Sequence, residues 1–280
     1  TRKDEDGKYV TEKNIFEKLI GKCSIYPDEL RAAGASYSAQ EFNVLNDLNN
    51  LTVNNRKLSE EEKRKIVATI KESNMVNMRS IIRKIIKEDI EQFSGARIDK
   101  KEKEIYHTFE VYRKMKKSFE AINIDINAFS REELDEFGRI LTLNTEKAGI
   151  IKAFEATNQK YSDEVINVLV DLRKKNSFLF SKWHSFSLKA MIRLIPDMYV
   201  QSKEQMQLLT EMGVLKQKPS KYNDYKYIPV EKVIEEIYNP VVVRSIRTTV
   251  KMINEVIRKY GYPENIIIEM PRDKNSAEEK

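Results

Sequence analysis

The sequence has few of the residues that build disulfides, metal sites and sharp turns. Its 280 residues include one cysteine, Cys23, and two histidines, His107 and His184, so neither a disulfide framework nor a Cys/His zinc site can be assembled from it. Eight Gly and seven Pro are about half of the ordinary usage of roughly 7% and 5%. This scarcity of turn residues predicts a mostly helical chain, because all-β and doubly wound folds need many turns.

Long hydrophobic runs are also missing. No apolar stretch approaches the ~20 residues that a membrane span requires. The first residues (TRKDEDG) are charged and lack the apolar core of a signal peptide. We therefore expect a protein with no membrane partner that stays in the reducing cytoplasm.

Positive charge is present in excess and is concentrated in three windows. Residues 78–117 carry twelve Lys and Arg against seven Asp and Glu, residues 171–193 carry six against one, and residues 240–262 carry five against one. Because the whole chain has a net charge of only +6, the remainder is net negative. Segregated positive charge is typical of a surface that follows a polyanion, and it also arises by chance in lysine-rich helical proteins.

Capping boxes mark several helix starts. In this motif a Ser side chain and a Glu or Gln three residues later satisfy each other's backbone amides. The pattern occurs at Ser38/Glu41, Ser59/Glu62, Ser130/Glu133 and Ser202/Gln205. Further helices are predicted from Ser162 to Lys175 and from about Ser187 to Leu194, the second ending at Pro196. The sequence thus predicts an all-α domain over residues 1–215, a linker over 216–230 and a separate segment over 231–280.

The last segment combines a long helix with the only convincing strand in the sequence. Pro240 and Gly261 bound a helix over residues 240–260, with Arg244, Arg247 and Lys251 on one stripe. Such a stripe can bind phosphates, and it is equally typical of a helix face that is exposed to solvent. Residues 265–270 (NIIIEM) have the composition of a buried strand. Since one strand cannot pair its own backbone groups, we expect its sheet to lie outside this sequence and the chain to be a piece of a larger protein.

Glu269 is the carboxylate within that strand. A buried ionised carboxylate is costly unless it is paired or bound to a metal ion. The residues alone leave both a Lys or Arg partner and metal ligation open.

Six ordered segments point to a family. They are residues 20–29 (IGKCSIYPDE), 35–51 (ASYSAQEFNVLNDLNNL), 108–115 (TFEVYRKM), 183–189 (WHSFSLK), 239–247 (NPVVVRSIR) and 265–273 (NIIIEMPRD). Together they resemble the short forms of the type II CRISPR-associated RNA-guided DNA endonuclease family (Cas-nine). The resemblance implies an all-α recognition lobe joined to a helix–strand piece that starts the second RuvC segment of a split RNase H-like nuclease domain.

The resemblance also implies a function in bacterial antiviral defence. In this family the recognition lobe binds guide RNA and the guide–target heteroduplex through phosphate and 2′-hydroxyl contacts. By position, Glu269 resembles the family's catalytic, metal-binding glutamate, which works with Mg²⁺ or Mn²⁺ when the complete nuclease cleaves double-stranded DNA. The other ligands would lie outside these 280 residues, so we expect the chain alone to be inactive and to hold no metal tightly. A phage anti-CRISPR inhibitor protein is a further expected partner.

Candidate nucleic-acid contacts lie in the second and third basic windows. They are Arg173, Lys174, Lys175, Lys182, Trp183, His184, Ser185, Lys189, Arg244, Arg247 and Lys251. The alternatives are a solvated surface for the lysines, core filling for Trp183 and a capped surface position for His184. A competing hypothesis is a helical protein-interaction scaffold, or an inhibitor-binding segment, that binds no nucleic acid itself. A steep salt dependence of RNA binding would distinguish the first hypothesis from the second.

Overall fold

The computed structural model describes residues 20–211, 213, 225–234, 237 and 240–262. The chain divides into two compact units, Thr1–Leu215 and Lys216–Lys280. The helices of the first unit are α1 (Tyr37–Asn50), α2 (Glu60–Glu72), α3 (Met78–Ile86), α4 (Glu110–Glu120), α5 (Arg131–Leu143), α6 (Lys147–Glu155), α7 (Asp163–Lys175), α8 (Leu188–Val200) and α9 (Gln205–Glu211), with 3₁₀ turns at Ile126–Ala128 and Ser177–Phe180. The predicted strand 265–270, with Glu269, and most of the predicted linker lie outside the described residues.

Two short antiparallel strand pairs accompany these helices. Strand β1 (Thr52–Val53) pairs with β2 (Phe93–Ser94), and β3 (Arg97–Ile98) pairs with β4 (Glu104–Ile105). The sequence predicts no strand in this part of the chain. Two-residue strands are too short to show an alternating pattern, so the prediction missed them.

Helix α1 is the centre of the first unit. It packs against α2, α5 and α8, and its apolar residues Phe42, Leu45 and Leu48 are fully buried. Buried polar groups on α1 are paired, as burial requires. Asp47 accepts hydrogen bonds from the Arg97 guanidinium and from the backbone and ring of His107. These bonds fix the β3–β4 hairpin to the central helix.

Helix α5 approaches the start of α1 closely. A Cβ atom at Gly138 would lie 2.6 Å from the backbone nitrogen and Cα of Ser36, so only glycine fits there. One turn earlier, Asp135 accepts hydrogen bonds of 2.7 Å from both the backbone nitrogen and the hydroxyl of Ser38. Ser38 therefore lies inside α1, bonded to α5, and the predicted capping box at Ser38/Glu41 is wrong.

The other predicted helix boundaries are correct where neighbouring residues decide them and wrong where contacts with distant residues decide them. The capping boxes at Ser59/Glu62 and Ser130/Glu133 are both present, and Ser162 caps α7. The box at Ser202/Gln205 is wrong, because the Ser202 hydroxyl donates to the Leu58 carbonyl instead.

The predicted stop at Pro196 is also wrong, since α8 continues to Val200. Lys63, fully buried, donates to the carbonyls of Met198 (2.7 Å) and Gln201 (3.0 Å). Met198 and Tyr199 are buried as well. These contacts stabilise the last turn of α8 and offset the hydrogen bond that proline removes.

The described part of the second unit contains α10 (Val230–Ile234) and α11 (Pro240–Tyr260). The two helices pack together, and the Asn254 side chain exchanges hydrogen bonds of 2.9 and 3.0 Å with the backbone of Ile228. Across the described ranges of both units, no helix has the length and apolar character needed to cross a membrane.

Candidate nucleic-acid interface

Two distant loops of the first unit are joined by a backbone zipper, which we define as the hydrogen bonds between residues 24–34 and 182–186. Ser24 N donates to Ser185 O (3.1 Å), Ala32 N to Phe186 O (2.8 Å), His184 N to Ala32 O (2.8 Å) and Gly34 N to Lys182 O (2.8 Å). The zipper fixes the backbone of the predicted contact residues between α7 and α8. It does so without using their side chains.

Cys23 stabilises the edge of the zipper. It is buried, and its Sγ accepts hydrogen bonds from the backbone nitrogens of Ile25, Tyr26 and Ser187. Burial raises the pKa of the thiol, but these hydrogen bonds outweigh burial and hold the pKa below its ordinary value. The role of Cys23 is structural.

His184 lies beneath the zipper against the rings of Phe42 and Phe186. Phe186 N donates to its Nδ1 at 3.1 Å, so the ring proton is on Nε2, which lies 3.1 Å from Asn43 Oδ1. Burial lowers the pKa of His184 to about 4, which keeps the ring neutral at pH 7. Contrary to the prediction, the structure assigns both ring nitrogens to the fold and leaves neither for a nucleic acid.

Arg173 also differs from the prediction. It is only 7% exposed, and its guanidinium donates to the Leu141 carbonyl (2.7 Å) and the Ser177 carbonyl (3.3 Å). The same guanidinium lies 5.8 Å from the ring centroid of Phe180. Arg173 thus fixes the 3₁₀ turn after α7 and has no free guanidinium for a phosphate.

The neighbouring lysines remain available. Lys174 and Lys175 in the last turn of α7, and Lys182 just beyond the 3₁₀ turn, are exposed. In the part of the chain that the structure describes, none of these three forms an ion pair. We call residues 174–182 the basic turn.

The remaining predicted contacts of the first unit follow the basic turn. The Ser185 side chain is exposed, whereas Trp183 is half-buried beside Ala33. Lys189, in the first turn of α8, is exposed and lies 3.4 Å from the Glu29 carboxylate. This ion pair leaves most of the Lys189 side chain in solvent.

Folding brings the first two basic windows to the same groove. A groove of 340 Å³ between α4 and α7 is lined by Lys117 and Ser118 on one side and by Lys175 and Asn176 on the other. Lys117 also lines a second groove of 650 Å³, together with Lys71, Arg113 and Lys114. Lys117 lies in the first basic window but is not among the predicted contacts, because no local sequence pattern shows that α4 packs against α7.

The predicted residues of the second unit lie on α11. Arg244 and Lys251 are exposed, and the Arg247 guanidinium is 3.0 Å from the Glu231 carboxylate. Among the residues that the structure describes, no three His, Cys, Asp or Glu side chains are grouped to hold a metal ion. The predicted ligand Glu269 is outside those residues.

Residues 14–208, more than half of the chain, match the family model of the Cas9 alpha-helical lobe domain. The chain belongs to the Cas9 family. The predicted family and the predicted helical fold are thereby confirmed.

Two Cas9 relatives show how far the similarity extends. The CRISPR-associated endonuclease Cas9 1 of Streptococcus thermophilus is 48% identical over 276 residues, which cover 95% of this chain and 24% of the relative. The CRISPR-associated endonuclease Cas9 of Staphylococcus aureus is 30% identical over 270 residues, 95% of this chain and 25% of the relative. The chain therefore spans about a quarter of the length of these bacterial relatives.

Solved Cas9 structures share the fold. The crystal structure of Streptococcus thermophilus Cas9 in complex with AGGA PAM matches with a TM-score of 0.72 and 44% identity, covering 100% of this chain and 26% of that one. A cryo-EM structure of a complex of St1Cas9 with sgRNA, AcrIIA6, tDNA59 and ntPAM gives the same TM-score of 0.72 and 44% identity, covering 95% of this chain and 32% of that one.

Proposed function

We propose that this chain forms the recognition lobe of an RNA-guided DNA endonuclease and binds guide RNA and the guide–target heteroduplex. Its first unit would do so through the basic turn and the groove between α4 and α7. The exposed Lys174, Lys175 and Lys182, which no carboxylate neutralises within the described residues, carry this proposal. Relatives solved with sgRNA and target DNA support it.

The chemistry of these residues suits an A-form duplex. Lysine ammonium groups bind phosphate as mobile point charges, and hydroxyl groups such as that of Ser185 can bond a ribose 2′-hydroxyl. Recognition of backbone and shape needs no base-reading side chain. Lys117 and Lys175, on opposite sides of one groove, offer cations to a single strand of phosphates. Lys189 of the first unit, and Arg244, Arg247 and Lys251 of the second, would add further phosphate contacts.

The activity of the whole protein is part of the proposal. Glu269 would be one metal-binding carboxylate of a nuclease that cleaves double-stranded DNA in the bacterial cytoplasm with Mg²⁺ or Mn²⁺. Carboxylate oxygen is the ligand that these hard cations prefer. A single carboxylate cannot complete such a site, so the 280-residue chain alone should not cleave DNA. An anti-CRISPR protein is a proposed partner because a St1Cas9 relative was solved with AcrIIA6.

The test measures binding of the 280-residue chain to three labelled ligands of matched length: an RNA–DNA hybrid, a guide-type RNA stem and a B-form DNA duplex. Fluorescence anisotropy is recorded between about 50 and 200 mM salt. We expect tighter binding of the two A-form ligands and a steep salt dependence. Lys174→Ala combined with Lys182→Ala should weaken binding and lower the salt slope by about one per lysine.

A matched double variant controls for charge. Lys65→Ala with Lys203→Ala removes the same two charges from lysines that already pair with Glu61 and Glu211, and it should leave the slope unchanged. Equal losses in both double variants, or no binding of either A-form ligand, would overturn the proposal. The latter result would favour a protein-interaction scaffold.

A further inference from the structure

Phe178 is exposed where phenylalanine is normally buried. Its exposed fraction is 64%, whereas Phe180, two residues later, is 1% exposed. Every other phenylalanine that the structure describes is buried or partly buried. The turn Ser177–Phe180 thus directs one aromatic ring into the core and a second into solvent.

The backbone that presents Phe178 is held on both sides. On the N-terminal side, Leu179 N donates to the Asn176 carbonyl (3.1 Å) and Arg173 donates to the Ser177 carbonyl (3.3 Å). On the C-terminal side, the Ser181 hydroxyl donates to the Phe178 carbonyl itself (2.8 Å). Phe180 and Leu179 pack into the core. The ring is therefore offered to solvent by a fixed turn rather than by a loose loop.

The charge that flanks the turn in sequence identifies the kind of occupant. Lys174 and Lys175 precede the turn and Lys182 follows it, all exposed and without an ion pair among the described residues. A protein segment that covered Phe178 would have to bury or neutralise these ammonium groups, at a cost. A nucleic-acid strand satisfies both features, because its phosphates pair with the lysines and its bases present flat faces to the ring.

We propose that Phe178 is a stacking platform for an unpaired base of the bound RNA, with Lys174, Lys175 and Lys182 holding the phosphates on either side of that base. This inference rests on the proposed function and adds to it a preference for RNA that contains an unpaired base. A base must be out of its helix to stack on a side chain. The basic turn should therefore favour RNA with a bulged nucleotide over a fully paired stem.

The experiment compares two RNA stems that differ only in one bulged 2-aminopurine. The 280-residue chain is titrated with each stem, and both anisotropy and 2-aminopurine fluorescence are recorded. Phe178→Ala and Phe178→Leu should weaken binding of the bulged stem by about 5- to 150-fold, the range for loss of one base–aromatic stack, and leave the paired stem within about twofold. Phe178→Trp should retain both the affinity and the fluorescence quenching.

A control variant tests whether the loss of any exposed apolar side chain weakens RNA binding. Ile98 has the same 64% exposed fraction, and Ile98→Ala should change neither stem's affinity. Unchanged thermal unfolding of each variant would show that the fold is intact, as expected for exposed positions.

Two results would overturn the inference in distinguishable ways. If Phe178→Ala affects both stems equally or neither, while Lys174→Ala with Lys182→Ala still weakens both, the proposed function stands and the stacking role does not. If the unaltered chain binds neither stem, the proposed function fails and the stacking role fails with it.

Discussion

The Nε2–H of His184 donates to Asn43 Oδ1 at 3.1 Å, across 141 residues of sequence. Because Nδ1 of the same ring accepts from the backbone of Phe186, this tautomer is the only neutral one that satisfies both partners. A proton added to Nδ1 would break the bond to Phe186. The histidine thus joins the middle of α1 to the zipper only while it is neutral.

This arrangement predicts a loss of stability in mild acid. Burial lowers the pKa of His184 to about 4 in the folded chain, below the ordinary value of about 6.5. Between these two pH values the unfolded state binds more protons, so the free energy of unfolding falls as the pH falls. From pH 7.5 to 5 we expect the unaltered chain to lose about 1 kcal/mol more than His184→Gln does, after allowance for partial exposure. Urea unfolding of both proteins at the two pH values measures this difference, and equal losses would contradict it.

Lys63 gives a prediction of the same sign, but at alkaline pH. Its buried ammonium donates to Asn49 Oδ1 and to the carbonyls of Met198 and Gln201, and burial lowers its pKa to about 8. The ordinary value is about 10.4, so between pH 8 and 10.4 the unfolded state binds the proton more tightly and stability from this group rises with pH.

Lys63→Met should lack that rise between pH 7.5 and 9.5. At pH 7.5 it should also cost about 2 kcal/mol, because buried oxygen atoms lose their donor. The exposed Lys65→Met, two residues further on, should change stability by less than about 0.5 kcal/mol. Urea unfolding at both pH values measures these effects. A Lys63→Met protein that gains stability with pH as the unaltered chain does would refute the assignment.

Two glycines of neighbouring helices should respond oppositely to alanine. In Gly138→Ala the new Cβ would lie 2.6 Å from backbone atoms of Ser36, whereas in Gly149→Ala it would lie 3.4 Å from the Asn144 side chain, an ordinary contact. We expect Gly138→Ala to lose about 2–4 kcal/mol through overpacking. Gly149→Ala should gain up to about 1 kcal/mol from helix propensity. Chemical unfolding of the two variants measures both values, and similar stabilities would show that α5 can move away from α1.

Local sequence patterns predicted those parts of the fold that local interactions control. At Ser59 and Ser130 the capping box needs only residues three apart, and both boxes are present. Ser38 shows the same pattern, but Asp135 of α5 is a stronger partner for its hydroxyl and backbone. Pro196 failed as a stop signal for the same reason, because contacts from α2 hold the turn beyond it. Such partners lie about a hundred residues away and leave no mark on the local pattern.

The candidate site likewise has features that the sequence predicts and features that depend on distant contacts. Composition located the basic windows, and three of the lysines identified there, Lys174, Lys175 and Lys182, are exposed and unpaired among the described residues. It could not distinguish them from Arg173, whose guanidinium is used by the Leu141 and Ser177 carbonyls. Phe178 was not identified, because a phenylalanine within the run Ser177–Phe180 predicts core packing. Its exposure follows from the 3₁₀ geometry of the turn.

The zipper between residues 24–34 and 182–186 also sets the order in which the chain can fold on the ribosome. Synthesis runs from the N-terminus, so residues 24–34 and the central helix α1 emerge long before residues 182–186, which pair with the first segment. Contacts of such large sequence separation form slowly, because a long loop must close first. Until residue 200 has emerged, the apolar face of α1 that packs on α8 stays uncovered and open to chaperones. Completion of the first unit therefore waits until α8 has been synthesised.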